Sequence, residues 1–111
     1  MSNRVIFKDI NTCPITSVMQ VVGGKWKPVI IYVLSKGTLR FGKIIFFIPN
    51  ISRKVLTQQL RELEQDGIVK RTVYNETPPR VEYELTKKGL ELLPIYEQLA
   101  EWGLTYSKKD A

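Results

Sequence analysis

At Gly67 the hydrophobic period of the chain changes from about 3.6 residues to about 2, and no other feature constrains the fold as tightly. Ahead of it apolar residues recur at helical spacing, and behind it two short stretches alternate. From Pro14, the run PITSVMQVVGG puts Ile15, Val18, Met19 and Val22 on one helical face, with Gly23-Gly24 as the stop. A second helix over Lys25 to Leu34 carries Trp26, Val29, Ile30, Val33 and Leu34, tolerates Pro28 in its first turn and ends at Ser35-Lys36-Gly37. Thr38-Leu39-Arg40 reads as a short extended link before about two helical turns from Phe41 to Ile48, which Pro49 ends. Ser52 then caps a fourth helix, whose apolar side is Val55, Leu56, Leu60 and Leu63. Pro49-Asn50-Ile51 is the tight turn of a helix-turn-helix pair over residues 41–67.

Beyond Gly67, Ile68 to Tyr74 and Val81 to Leu85 alternate as strands, joined by a long tip from Asn75 to Arg80. Thr86 caps a last helix toward Tyr106, with a break expected at Pro94, whose nitrogen cannot donate to Leu90. The order helix, helix, helix-turn-helix, hairpin, helix is that of a winged helix-turn-helix fold, α+β but mainly α, with a two-stranded wing over residues 68–85. A length of 111 residues with 43% hydrophobic and 25% charged side chains suits one such domain spanning 1–111. No segment reads as a signal peptide. Apolar runs are broken by Lys43, Pro49 and Pro94, so no membrane span is expected and a cytoplasmic location is.

The chain has no His and one Cys, which removes imidazole-based triads and the usual zinc ligand sets. Its carboxylates, among them Glu62, Glu64, Asp66, Glu82 and Glu84, read as solvated charges paired with neighbours, so neither an enzyme, a metal site nor a cofactor is expected. The net charge of +6 is unevenly spread: residues 1–61 hold ten Lys or Arg against Asp9 alone, and residues 62–111 hold seven against ten acids. That segregation points to a polyanion partner. On the second helix of a helix-turn-helix, outward residues near the start enter the major groove. Arg53, Thr57 and Arg61 recur at four-residue spacing with Lys54 and Gln58 beside them, opposite the leucines. Arg53, Thr57, Gln58 and Arg61 are the base-reading candidates, since Arg suits guanine and Gln adenine. Lys25, Arg40, Lys43, Ser52 and Lys54 are candidates for the DNA backbone, Lys27 sits among them, and Arg80 at the hairpin tip is the expected wing contact.

The residues Cys13-Pro14-Ile15, Gly23-Gly24-Lys25-Trp26, Arg40-Phe41, Ile51-Ser52, Leu60 to Gly67, Pro78 to Tyr83 and Leu85 to Gly89 resemble, in order over roughly residues 12–103, the signature segments of the HxlR family of winged-helix transcriptional regulators. The resemblance implies a homodimer on palindromic double-stranded DNA, with dimer contacts from terminal helices. It also implies oxidant or electrophile sensing at a Cys matching Cys13. Three departures stand out: Lys43 replaces an acid, Asn50 replaces a Gly, and Ile45-Phe46-Phe47 replaces mostly polar residues. Asn tolerates the left-handed backbone such a turn needs. Three successive helical residues sweep about 200°, so at least one of the apolar trio should be exposed, either widening the core or offering a partner or effector surface.

Ile6, Phe7, Ile10, Tyr96, Leu99, Trp102 and Tyr106 are the candidate dimer residues, drawn from residues 1–12 and 86–111. A two-fold dimer would place two recognition helices about 34 Å apart on a pseudo-palindromic operator. Repression is the expected direction, because occluding a promoter needs only binding. Cys13 precedes Pro14 at a helix start, where free N–H groups favour thiolate, and the structural alternative is a buried thiol. A small-molecule effector or electrophile is the regulatory partner it would answer to. The competing function is a winged-helix protein-interaction module using the apolar trio.

Overall fold

The computed structural model describes residues 7–107. After a short 3-10 turn at Ile10–Thr12, α1 runs over Pro14–Val22 and α2 over Lys27–Val33, followed by a 3-10 turn at Leu34–Lys36. Strand β1 is Leu39–Arg40, α3 is Phe41–Phe47, α4 is Arg53–Gln65, β2 is Val69–Tyr74 and β3 is Arg80–Leu85. The chain closes with α5 at Lys87–Leu90 and α6 at Leu93–Tyr106.

The expected hairpin is present, with Val69 opposite Leu85 and Tyr74 opposite Arg80. The sheet that holds it has one strand more. The segment expected to be a plain extended link supplies a third strand, Leu39 lying opposite Tyr83 and Arg40 opposite Glu82, so the antiparallel order is β1-β3-β2. Two residues of extended backbone carry no visible period of their own, and only the free edge of β3 turns them into a strand.

The core lies beneath α4. Leu56, Leu60 and Leu63 are buried against Ile30, Ile31 and Leu34 of the α2 segment, Ile44 and Ile48 around the end of α3, and Ile68, Val69 and Leu85 of the sheet. On α2 the buried set is Lys27, Ile30, Ile31 and Val33, rotated from the expected face, and Val29 is exposed. On α1 only Val22 is buried, leaving Ile15, Val18 and Met19 exposed. The helix carries the apolar face read from the sequence, and the described residues leave most of that face uncovered.

Local signals place the ends of the elements. Ser52 has extended backbone and its Oγ accepts from the Val55 N–H at 3.0 Å, satisfying one of the donors that a first helical turn leaves free. Gly67, at φ 77°, turns the chain from α4 into the sheet. The expected interruption of the last helix falls at Glu91 and Leu92, and Pro94 sits in the first turn of α6, where its missing N–H costs nothing. Among the described residues no helix is long and apolar enough to cross a membrane.

Candidate nucleic-acid interface

The turn between α3 and α4 is made by Pro49, Asn50 and Ile51. Asn50 has φ 70°, the left-handed conformation its identity suggested, and buried Ile51 pins the turn to the core. Because α4 commits its leucine stripe inward, its opposite side faces out. Arg53, Lys54, Gln58 and Arg61 are exposed and Thr57 is half-buried. Together with Glu62 and Gln65 these five line a single open groove. The structure thus brings all four base-reading candidates onto one face.

Their chemistry is not uniform. The Arg53 guanidinium lies over the Phe41 ring, 4.7 Å from its centroid, which steadies the side chain while leaving its N–H donors at the edge of the plane. The Thr57 hydroxyl donates to the Arg53 carbonyl at 2.8 Å, so it keeps an oxygen lone pair and a methyl group for a ligand. Gln58 Nε2 approaches Glu62 Oε2 at 3.5 Å.

Among the backbone candidates, Lys25, Arg40, Lys43, Ser52 and Lys54 are all exposed. Arg40 is the residue before α3, one position ahead of Phe41, whose ring carries the Arg53 guanidinium. Lys25 Nζ sits 4.7 Å from the Trp26 ring centroid and Lys43 Nζ 5.6 Å from that of Phe46. Lys27 does not belong in this set. It is 9% exposed, and its ammonium pairs with Glu62 Oε1 at 2.5 Å. Position 27 shares a helical face with 30, 31 and 34, so the helix carries its stem inward and the charge must find a carboxylate. That ammonium holds the Glu62 carboxyl below the usual carboxylate range.

Arg80 also departs from expectation. Rather than being presented at the hairpin tip, it opens β3 opposite Tyr74, with its guanidinium 3.8 Å from the Tyr74 ring centroid. Its two terminal nitrogens donate to Glu82 at 2.9 Å and Glu76 at 3.0 Å. Glu82 lies two residues along the same strand and so on the same face. Two carboxylates pair with this cation, so its guanidinium is engaged within the hairpin. The sequence reading passed over Arg71, which lines a hollow beside Thr57 and Arg61 together with Glu64 and Tyr83, and whose Nε is 3.4 Å from Glu64. Alternation along β2 was the signal that could have placed it beside α4.

The dimer candidates separate into two groups. Ile6 lies outside the described residues. Phe7, Ile10, Leu99, Trp102 and Tyr106 are exposed, and Trp102 and Tyr106 stack with centroids 4.9 Å apart. Tyr96 instead turns inward with Leu92 and Leu93 against the core, its hydroxyl buried without a partner among the described residues, and burial raises its phenol pKa. A helix packed on a domain must spend one side on it, and Tyr96 falls on that side. The apolar trio divides the same way: Ile45 and Phe47 pack against the core, whereas Phe46 is 74% exposed.

Cys13 is half-buried at the residue before α1, and the Thr16 backbone N–H lowers its thiol pKa, outweighing the opposing effect of burial. Among the described residues no three His, Cys, Asp or Glu are grouped to hold a metal ion.

A recognition helix behind a left-handed tight turn, flanked by a hairpin paired to a short third strand, defines the winged helix-turn-helix class of transcriptional regulators. Within that class the chain belongs to the HxlR-like helix-turn-helix family, whose model matches residues 21–111. It is 46% identical over 98 residues to the HTH-type transcriptional regulator YybR of Bacillus subtilis, covering 88% of this chain and 78% of that protein. Its fold is similar to the redox regulator HypR in its oxidized form, with a TM-score of 0.81 and 46% identity over 86% of this chain and 99% of the other. It is also similar to the reduced form of the regulator YodB from B. subtilis, with a TM-score of 0.75 and 40% identity over 87% and 96% of the two chains.

Proposed function

We propose that the protein is a repressor that binds a pseudo-palindromic duplex as a homodimer, one α4 helix entering the major groove of each half-site. The observation that carries this reading is the α4 groove, where Arg53, Thr57, Gln58 and Arg61 share one exposed face directly behind a capped tight turn. Arg53 and Arg61 supply paired donors for guanine, Gln58 the donor and acceptor for adenine, and Thr57 a methyl for thymine. Arg40, Lys43, Lys54, Lys25 and the Ser52 hydroxyl would hold phosphates and fix the register. In the second-copy interface we place the exposed side chains Phe7, Ile10, Leu99, Trp102 and Tyr106.

Cys13 supports a switch in the same assembly. Its lowered pKa favours the nucleophilic thiolate, and two structurally similar proteins are a redox regulator and YodB, the latter also solved after diamide treatment. As the one cysteine of the sequence, it would react by addition to an electrophile, by a mixed disulfide with a small thiol, or by a bond between subunits. Footprinting of promoter regions beside the protein's own gene tests the reading. The expected result is a protected pseudo-palindrome whose half-sites are about one helical turn apart, with steeply salt-dependent binding that loses sequence preference in Arg53→Ala. Absence of protection refutes it. Diamide or quinone treatment should weaken binding of the wild type and leave Cys13→Ser unaffected; equal responses exclude the switch.

A further inference from the structure

The α4 groove holds one carboxylate, Glu62, among five cationic or amide side chains. On a surface meant for phosphates and base edges a carboxylate is unfavourable unless something neutralises it. Lys27 does so from behind. Its side chain is 11% exposed against 40% for Glu62, so its charge is delivered to Glu62 Oε1 rather than to solvent or to a bound phosphate. With Oε1 occupied, Oε2 is left for the Gln58 amide nitrogen, one turn earlier on the same face. The chain Lys27, Glu62, Gln58 therefore runs from the buried start of α2 to the outer face of α4.

We infer that Lys27 and Glu62 are positioning residues that set the base preference of Gln58, holding its amide so that the carbonyl oxygen and the second N–H point out together toward the edge of an adenine. This rests on the assignment of α4 as the DNA-reading helix and adds to it where part of its specificity originates. An unsupported Gln is free to turn its amide over and to leave the groove, and each immobilised side chain of this kind carries an ordering cost that the support removes in advance. The same carboxylate, deprived of Lys27, would stand unneutralised in the groove. Arg53 has a separate support in Phe41, so its preference does not depend on the ion pair.

The test is selection of binding sites from a pool of random duplexes by four proteins: wild type, Gln58→Ala, Lys27→Met and the double variant Lys27→Met/Glu62→Leu. The double variant removes both charges at matched volume and leaves no buried ion behind, which keeps the fold testable, and its thermal unfolding confirms that it is intact. Wild type should enrich adenine at one position of each half-site, and Gln58→Ala should lose that preference. The double variant should lose it by a factor of about 2 to 10, the range expected for immobilising one side chain, while preferences elsewhere in the half-site persist. Lys27→Met should in addition weaken binding to all sequences, because the Glu62 charge is uncovered. Should the folded double variant keep the adenine preference, or Gln58→Ala keep it, the inference is overturned while the DNA-reading assignment stands. Failure of wild type to enrich any sequence overturns both.

Discussion

Replacing Gly89 with alanine sets two effects of opposite sign against each other. Gly89 is the third residue of α5, and alanine in a helix is favoured over glycine by roughly 0.8 to 1.0 kcal/mol. Against this, a Cβ at position 89 would lie 2.5 Å from the Ile68 carbonyl oxygen, 3.1 Å from Leu85 Cδ2 and 3.3 Å from Ile68 Cγ2. The carbonyl cannot yield freely, because it accepts from the Thr86 N–H at 3.0 Å and from the Thr86 hydroxyl at 3.2 Å. Relief must come from moving α5 off the start of the sheet, which opens the packing of buried Ile68 and Leu85. Overpacking costs about 1 to 3 kcal/mol, and a 2.5 Å approach to a pinned backbone oxygen puts this site in the upper half, about 2 to 3 kcal/mol, so Gly89→Ala should be destabilising by a net of about 1 to 2 kcal/mol. In a thermal melt that corresponds to a fall of roughly 5 to 10 °C. Gly42→Ala is the control: it is exposed in α3 with nothing within 4 Å of the added Cβ, and it should stabilise by about 0.5 to 1 kcal/mol. Urea titrations of both variants at unchanged m give the signs directly. Gly89→Ala matching or exceeding the wild type would refute the close approach of α5 to Ile68.

Four further outcomes are expected. Phe46→Ser should change unfolding free energy by less than about 0.5 kcal/mol, whereas Ile44→Ala, two residues away and fully buried, should cost about 2 to 5 kcal/mol; similar costs in urea titration would contradict the division of α3 into inner and outer faces. Asn50→Ala should cost about 1 to 2 kcal/mol and Asn50→Gly should not, and an alanine variant as stable as the glycine variant would exclude the left-handed turn. The rate of Cys13 alkylation by iodoacetamide should rise with pH about a midpoint lower in the folded protein than in denaturant, since the Thr16 N–H favours the thiolate; coincident midpoints would remove that cause. Lys54→Ala should lower the slope of log affinity against log salt by about one, and Arg80→Ala should lower it by less, because the Arg80 guanidinium donates to Glu76 and Glu82 rather than to a phosphate. Equal slopes for the two variants would be inconsistent with the ion pairs around Arg80.

Features that depend on residues a few positions apart could be read directly from the amino-acid order. The N-cap at Ser52, the left-handed Asn50, the stop at Gly67, the break before Pro94 and the leucine stripe of α4 each follow from backbone preference or helical spacing, and all are found where that chemistry puts them. The shared face of Arg53, Thr57, Gln58 and Arg61 was legible for the same reason. Tertiary structure alone decided which partner each group meets across the fold. Leu39 and Arg40 become a strand only because β3 offers an open edge in register, Tyr83 opposite Leu39 and Glu82 opposite Arg40, and Tyr96 turns inward only because α6 lies on the core. Lys27 and Glu62 read separately as a cation for phosphate and a solvated acid. Their pairing appears once α2 is packed behind α4, because the cost of burying an ammonium is set by what stands within a few ångströms of it and not by its neighbours in the chain.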